Sequence, residues 1–446
     1  MTGYVAKRQP KHCGPAGWNS ILEPQSAPVE LTANTSADFV VIGAGFAGMA
    51  AARRLVQLMP NSRIVVLEAG RFAEGASGRN SGFMIDLPHE LTSEDYAGEG
   101  DDKKIIRLNR KAIEFVGDAV RDYDISADFF DRAGKVNGAA SQAAIRHNIN
   151  YAAHLRFLGE ASQMLDAQQM KEMTGSRHYL GGLYTAGTVM LQPAGLMRGI
   201  AGGLKRDGVQ LFENSGVIKF SPNKIGWDVK TKNAVVSTPK VILTVNGHLA
   251  SFGLERGRLM QLFLFANMTP KLDAEALKLL GGHSRWGITP SDPMGTTMRK
   301  IDELQGGNRI ITRTCAVVRS CMTTRKGDLA RAKEVMRRKF DRRFPQLAGL
   351  EMEHSWAGHL CLSLNGVSVT REIDKGVFSG CVQNGLGTTR GTLTGIAAAE
   401  MAAGTRSEIS DHFGNEHRPK CLLPEPFFSF GANSVLRYRE WKAGND

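Results

Sequence analysis

Residues 37–70, ADFVVIGAGFAGMAAARRLVQLMPNSRIVVLEAG, constrain the fold of this chain more than any other stretch. FVVIG is a short, apolar, β-branched run of the kind carried by a strand buried on both faces. FAGMAAARRLVQL follows at helical period, with Met49, Ala52, Val56 and Leu58 among its apolar positions. Pro60-Asn61-Ser62 breaks that run, and RIVVLE reads as a second buried strand, so the whole predicts a βαβ unit. Gly43-Ala44-Gly45-Phe46-Ala47-Gly48 joins the first strand to the helix, and Glu68 ends the second strand 20 residues after Gly48. In this context G-x-G-x-x-G is a dinucleotide-binding fingerprint. Gly43 permits the tight turn, Gly45 lets the backbone approach a pyrophosphate, and Gly48 lets helix and strand pack closely. The helix N-terminus offers unpaired N–H groups to phosphates, and Glu68 can accept hydrogen bonds from ribose hydroxyls. The fingerprint alone does not separate NAD from FAD.

After Glu68 comes EAGRFAEGASGRNSGF, a glycine-rich loop with no apolar run long enough for a core element. Glycine loses the most backbone freedom on folding, so ordering such a loop is costly and points to something bound there. Residues 101 to about 170 read as mostly helical. GGLYTAGTVMLQPAGLMRGIAGGLKRDGVQLFENSGVIKF reads strand, turn, helix, strand, and KVILTVNGHLA is a further buried strand. Residues 258–325 alternate short strand-like runs with turns. Pro10, Pro15, Pro24 and Pro28 make residues 1–36 an irregular arm, and the chain ends in a proline-rich arm.

The chain has 446 residues and a formal net charge of +12. Its most basic stretch, Leu329 to Pro345, spaces Leu329, Ala332, Met336, Phe340 and Phe344 as one helical face, so the cations read as a solvated helix surface. No nucleic-acid-binding pattern is present. Cys13, Cys315, Cys321, Cys361, Cys381 and Cys421 form no CxxC pair and suit neither zinc nor a disulfide framework, so no metal is expected. No run reaches the roughly 18 apolar residues of a membrane span, and the N-terminal residues lack the apolar core of a signal peptide. The default expectation is a cytoplasmic protein.

The chain resembles the FAD-dependent amine and amino-acid oxidoreductases of the D-amino-acid oxidase superfamily, in the branch of γ-glutamylputrescine oxidoreductase, sarcosine oxidase and glycine oxidase. Four places carry the resemblance: VVIGAGFAGMAAARRL with VVLEAG; GASGRNSGF; VILTVNG; and WAGHL with GVFSGCVQNGLGTTRGTLTG. It implies a discontinuous Rossmann-like α/β FAD domain (37–100, 195–255, 345–410). It also implies a second, α+β substrate domain on a mostly antiparallel sheet (101–194, 256–344), with arms at 1–36 and 411–446. The implied FAD contacts begin with the fingerprint residues Gly43, Gly45, Phe46, Ala47 and Gly48 and with Glu68 and Ala69. They continue along the loop through Arg71, Gly75, Ala76, Ser77, Arg79, Asn80, Ser81 and Gly82. Val217 falls where relatives meet the adenine, and Asn246 and Gly247 end the VILTVNG motif. Asn384, Gly385, Leu386, Gly387, Thr388 and Thr389 open a helix facing the flavin, whose N-terminus suits the negative charge of reduction.

Some sarcosine oxidases attach FAD to a cysteine near a Thr-Pro-Asp stretch. The corresponding SRWGITPSDPMGTTMRK has none, so non-covalent FAD is expected. The implied reaction passes hydride from the α-carbon of a small amine or amino acid to flavin N5, giving an imine that hydrolyses. O2 or another acceptor then reoxidises the flavin. Candidates near the flavin face are Met84, His89, Met190, Gln192 and His359, and Arg258, Arg299 or Arg313 for a substrate carboxylate. Each histidine and arginine also has an ordinary structural reading. A nicotinamide-linked dehydrogenase and a flavin-holding subunit of a larger complex are the rival readings, and a homo-oligomer or a partner subunit stays open.

Overall fold

The computed structural model describes residues 3–88, 101–292 and 294–444. The βαβ expectation holds: strand Phe39–Ile42, helix Phe46–Leu58 and strand Ile64–Leu67, with every strand residue buried. These strands belong to a six-stranded sheet in the order Gln210–Phe212, Ile64–Leu67, Phe39–Ile42, Lys240–Leu243, Val377–Cys381, Val369–Asp374. The first five run parallel and the last returns antiparallel. Apolar side chains on both faces suit such a sheet, because helices cover it: Phe46–Leu58, Pro193–Arg206 and Thr389–Ala403 share its principal core.

The second layer is an eight-stranded sheet in the order His354–Ser363, Leu259–Met268, Arg309–Val318, Thr297–Ile301, Trp286–Pro290, Lys135–Ala139, Gly181–Thr185, Gln163–Asp166. All its pairings are antiparallel except Trp286–Pro290 with Lys135–Ala139. The fold is thus a Rossmann-like α/β unit beside an α+β unit on a mostly antiparallel sheet. Strand His354–Ser363, inside a segment expected with the first unit, pairs in the second sheet over ten residues.

Three further departures have local causes. The segment read as mostly helical holds helices Asp102–Asp122 and Gln142–Leu158, but strand Lys135–Ala139 lies between them. That strand shows no alternation in sequence because Lys135 and Asn137 are themselves buried. The N-terminal arm is irregular, as its prolines dictate, yet Tyr4–Val5 and Thr35–Ser36 join opposite edges of a five-stranded sheet. Trp18 in the same arm is fully buried. The C-terminal arm carries the helix Phe427–Ala443, which begins as soon as the prolines end at Pro426.

Candidate functional site

The fingerprint turn has the geometry its residues predict. Gly43 sits at φ +102°, and a methyl group at Gly48 would lie 1.8 Å from the Gly43 carbonyl oxygen. Helix and strand therefore touch backbone to backbone, with Thr244 Oγ donating to the carbonyls of Ile42 and Gly43 beneath them. A methyl group at Gly45 would meet nothing within 4 Å. Gly45 caps the helix without any side-chain acceptor, and the first turn holds no acid. No capping side chain therefore takes up the first N–H groups of this helix. Glu68 closes the second strand: Oε2 accepts from Ala44 N–H at 2.8 Å and Oε1 from Gly70 N–H at 3.1 Å. Burial pushes its carboxyl above the ordinary range, and these N–H groups pull the other way.

A second helix start meets the first. Helix Thr389–Ala403 lies across Phe46–Leu58 so closely that a methyl group at Gly395 would fall 2.1 Å from the Ala47 carbonyl oxygen. Its approach is open, since methyl groups at Gly385 and Gly387 would meet nothing within 4 Å. Thr388 Oγ donates to the Phe83 carbonyl at 2.7 Å and Thr389 Oγ to the Ile85 carbonyl at 3.0 Å, tying this start to the end of the glycine-rich loop. Asn384 braces it from outside, accepting from Ser363 N–H at 2.8 Å and donating to Val367 O at 2.9 Å. Leu386 starts the turn, its carbonyl accepting from Arg390 N–H.

The glycine-rich loop is held by partners the sequence did not reveal. Trp18 Nε1–H donates to Asn80 O at 2.8 Å, and Trp356 Nε1–H to Arg79 O at 3.0 Å. Asn80 folds the loop on itself, donating to Ser77 O and accepting from Gly82 N–H. Arg79 gives its guanidinium to the carbonyls of Glu74, Cys13 and Ala357, and burial lowers it to about 10. Arg71 pairs with the buried Glu213 at 2.9 Å. Both arginines are thus engaged by protein. Gly75 has open space around it, Ala76 is exposed, and Ser77 is buried with Ser81 half-buried beside Gly82. Ala69 packs 3.4 Å from the position of a Gly216 methyl, and Val217 O accepts from Gln9 Nε2 at 2.9 Å. Asn246 takes φ +47°, and its buried Oδ1 has no partner among the described residues.

The eight-stranded sheet presents one face to this loop. Arg299 Nη1 donates to Gly82 O at 2.9 Å and to Leu191 O. Thr297 pairs with Arg313 and Arg299 with Ile311, so these four share that face. Arg313 is half-buried, and its guanidinium makes no hydrogen bond or ion pair with any described residue. Burial lowers its guanidinium to about 10, which leaves it charged at neutral pH. Arg258, by contrast, is spent on Pro419 O and on Glu255. The two residues beyond Arg313 turn over: Cys315 sits at φ +64° beside a bulge between Leu264 and Phe265, and its thiol packs on the opposite face with Ala332 and Met336.

The catalytic candidates do not converge. Met190 packs with Phe83 and Ile85, and Met84 is buried beside them. Gln192 is fully buried as the cap of helix Pro193–Arg206, accepting from Gly195 N–H and donating to Trp18 O. His359 points away from the loop. Its strand neighbour Gly358 faces Arg79, whereas the His359 ring lies tilted against Phe263 at 5.0 Å and edge-to-face with His248 at 5.3 Å. Gln261 gives its N–H to Gly247 O, so its Oε1 accepts from His359 Nε2–H at 2.8 Å. Burial, with His248 and His12 nearby, pushes His359 down to about 3, so it is neutral at physiological pH. His89 lies outside the described residues.

Two helix starts without capping side chains, a half-buried acid at the end of the second strand and an orphaned acceptor fit the flavin dinucleotide that the sequence resemblance implies. Among the described residues no group of acidic, histidine and cysteine side chains could hold a metal ion, and no helix is long and apolar enough to cross a membrane. The comparisons agree. A probable oxidoreductase of Haemophilus influenzae is 27% identical over 391 residues, 85% of this chain and 86% of its own length. The γ-glutamylputrescine oxidoreductase of Escherichia coli is 24% identical over 437 residues, 90% and 92% of the two chains. Among solved structures, glycine oxidase from Geobacillus kaustophilus matches with a TM-score of 0.69 at 16% identity, covering 87% of this chain and all of that one. L-amino acid deaminase from Proteus myxofaciens matches at 0.68 and 12% identity, covering 89% and 96%. The model of the FAD-dependent oxidoreductase family matches residues 38–401, and the chain belongs to that family.

Proposed function

We propose that this oxidoreductase oxidises a C–N bond of a small amine or amino acid bearing an anionic group. The product is an imine that hydrolyses to a carbonyl compound. Bound FAD supplies the hydride acceptor. In this reading the helix starts at Gly45 and Gly387 hold the pyrophosphate and the flavin ring edge, and Glu68 holds the ribose. The loop residues Gly75 to Gly82 line the cofactor by their backbone, with Arg71 and Arg79 ordering the loop. Val217, Asn246 and Gly247 lie farther along the same site. Relatives named for glutamylputrescine, glycine and L-amino acids support the substrate class.

The single observation that carries the anionic group is Arg313. Of the three arginines expected to meet a carboxylate, Arg258 and Arg299 are spent on protein acceptors and Arg313 is not. A charged guanidinium held in a half-buried site without a partner is costly unless a ligand completes it. It shares its face with Arg299, which touches the end of the loop at Gly82. Met190 then serves as an apolar wall, and Gln192 and His359 act as positioning residues.

Anaerobic mixing with a panel of amines, followed by loss of the flavin absorbance, tests this reading. Amines bearing a carboxylate should bleach the flavin faster than plain alkylamines, and the rate should rise with pH because the neutral amine is the hydride donor. Arg313→Met should weaken the carboxylated substrates by about 10- to 100-fold, the worth of one charged hydrogen-bonding partner. Bleaching by an alcohol or a nicotinamide and by no amine would sink the reading. A preference for plain alkylamines would remove only the anionic group.

A further inference from the structure

The helix Phe427–Ala443 has one face fixed by the protein. It covers strand Arg309–Val318 where that strand has run past its last pairing with Thr297. Glu440 Oε1 accepts from Ala316 N–H at 3.0 Å, and Asn433 Oδ1 accepts from Val318 N–H at 3.0 Å. Arg331 of the neighbouring basic helix Lys326–Arg343 pairs with Glu440 at 2.9 Å.

A second face of the helix carries an aromatic stripe. At 3.6 residues per turn, Phe427, Phe430, Tyr438 and Trp441 fall within an arc of about 80°. They are 72%, 77%, 60% and 76% exposed. Lys442 is also exposed and borders the stripe about 40° beyond Tyr438, while the exposed Arg439 lies farther round the helix. The helix's sole acid, Glu440, is turned inward, so the outer face holds cations and no carboxylate. On the adjacent helix Arg338 and Arg342 are exposed and lie along the line of Arg331, at seven and eleven residues beyond it. Single exposed apolar residues are ordinary, but four large aromatic side chains in one stripe are not.

We propose that this helix docks the protein on an anionic lipid surface, lying in the interface without crossing it. Aromatic rings suit the headgroup region, and a basic flank adds attraction to anionic lipid. Pairing with a second copy through the same stripe would bring Lys442 of two helices together, on a chain whose net charge is already +12. The charge pattern therefore favours an anionic partner over a like-charged one.

The protein carries its own probe. Trp18, Trp227, Trp286 and Trp356 are at most 3% exposed, so Trp441 is the one tryptophan open to quenching. The holoenzyme is titrated with vesicles of phosphatidylcholine and phosphatidylglycerol, and in parallel with phosphatidylcholine alone. The expected result is a blue shift of the emission, loss of acrylamide quenching and co-sedimentation with the anionic vesicles. Binding should fall several-fold as salt is raised from about 0.05 M to 0.5 M. Phe430→Ser and Lys442→Glu should each weaken vesicle binding about 5- to 10-fold at unchanged flavin content. Equal binding to neutral and anionic vesicles, or none to either, overturns the proposal. So does a dimer by light scattering in which Trp441 is shielded without lipid, because the stripe would then belong to a second copy.

Discussion

Glu68 shows how far a single residue was legible. Its place at the end of the second strand follows from the fingerprint spacing, and the two backbone N–H groups that hold its carboxylate are those of the turn and the loop it joins. Glu68→Ala should therefore weaken FAD binding by about 1.5–3 kcal/mol, or roughly 10- to 100-fold, and leave flavin reduction in the loaded enzyme nearly unchanged. FAD titration of the apoprotein measures the first and anaerobic reduction the second; unchanged affinity would count against the assignment. Lys135 was not legible. A lysine in sequence reads as surface, yet here it is 3% exposed and donates to Asn137 and Thr289. Burial lowers its ammonium from 10.5 to about 8. The unfolded chain then binds more protons between pH 8 and 10.5, so stability rises with pH across that window. The shift is worth at most about 3 kcal/mol. Lys135→Met should flatten this rise, read as the denaturation midpoint of both proteins at pH 8 and pH 10. The same slope in both would refute the buried-charge account.

At the scale of elements, periodicity was a good guide where packing is regular and a poor one where it is not. Helix Phe46–Leu58 and its flanking strands were read to within a residue, because the strands are apolar on both buried faces and the helix keeps its apolar period between clear turn signals. The bulge that turns Cys315 away from Arg313 was invisible, since it depends on a positive φ at a non-glycine residue that pairing across strands imposes. The contact between the two helix starts was also hidden, because it involves residues far apart in the chain. Gly395→Ala tests that contact. Its methyl group would lie 2.1 Å from Ala47 O, so the helices must separate. The cost should be about 1–3 kcal/mol of stability, with weaker FAD binding because both helix starts move. Gly431→Ala in the last helix is the control: its methyl group meets nothing within 4 Å, and it should stabilise by about 0.5–1 kcal/mol. Loss of stability without loss of FAD affinity would separate the crossing from the cofactor site.

For the whole molecule, the two-layer architecture was legible from one βαβ unit and the family resemblance, but the partner of a given strand was not. His354–Ser363 follows the first layer's motifs in sequence and pairs in the second sheet, a choice made by cross-strand neighbours such as Leu259–Met268. That choice sets Trp356 over the loop at Arg79, so the second sheet helps to order the glycine-rich loop of the first. It also bears on how FAD is held. Attachment through sulfur needs a thiolate near the ring. Cys315 faces the basic helix, and burial pushes the thiols of Cys315 and Cys381 up to about 11 and that of Cys361 higher still. None of the three is both deprotonated at neutral pH and on the face that meets Gly82. With none of these three thiols poised for attachment, FAD should leave the protein on denaturation, and flavin absorbance should appear in the supernatant after acid precipitation. Added FAD should also stabilise the fold as a dissociable ligand does, by about 2.7 kcal/mol at a hundredfold excess over its Kd. Flavin that stays with the precipitate, and a melting temperature indifferent to added FAD, would together mean that a covalent link had been missed.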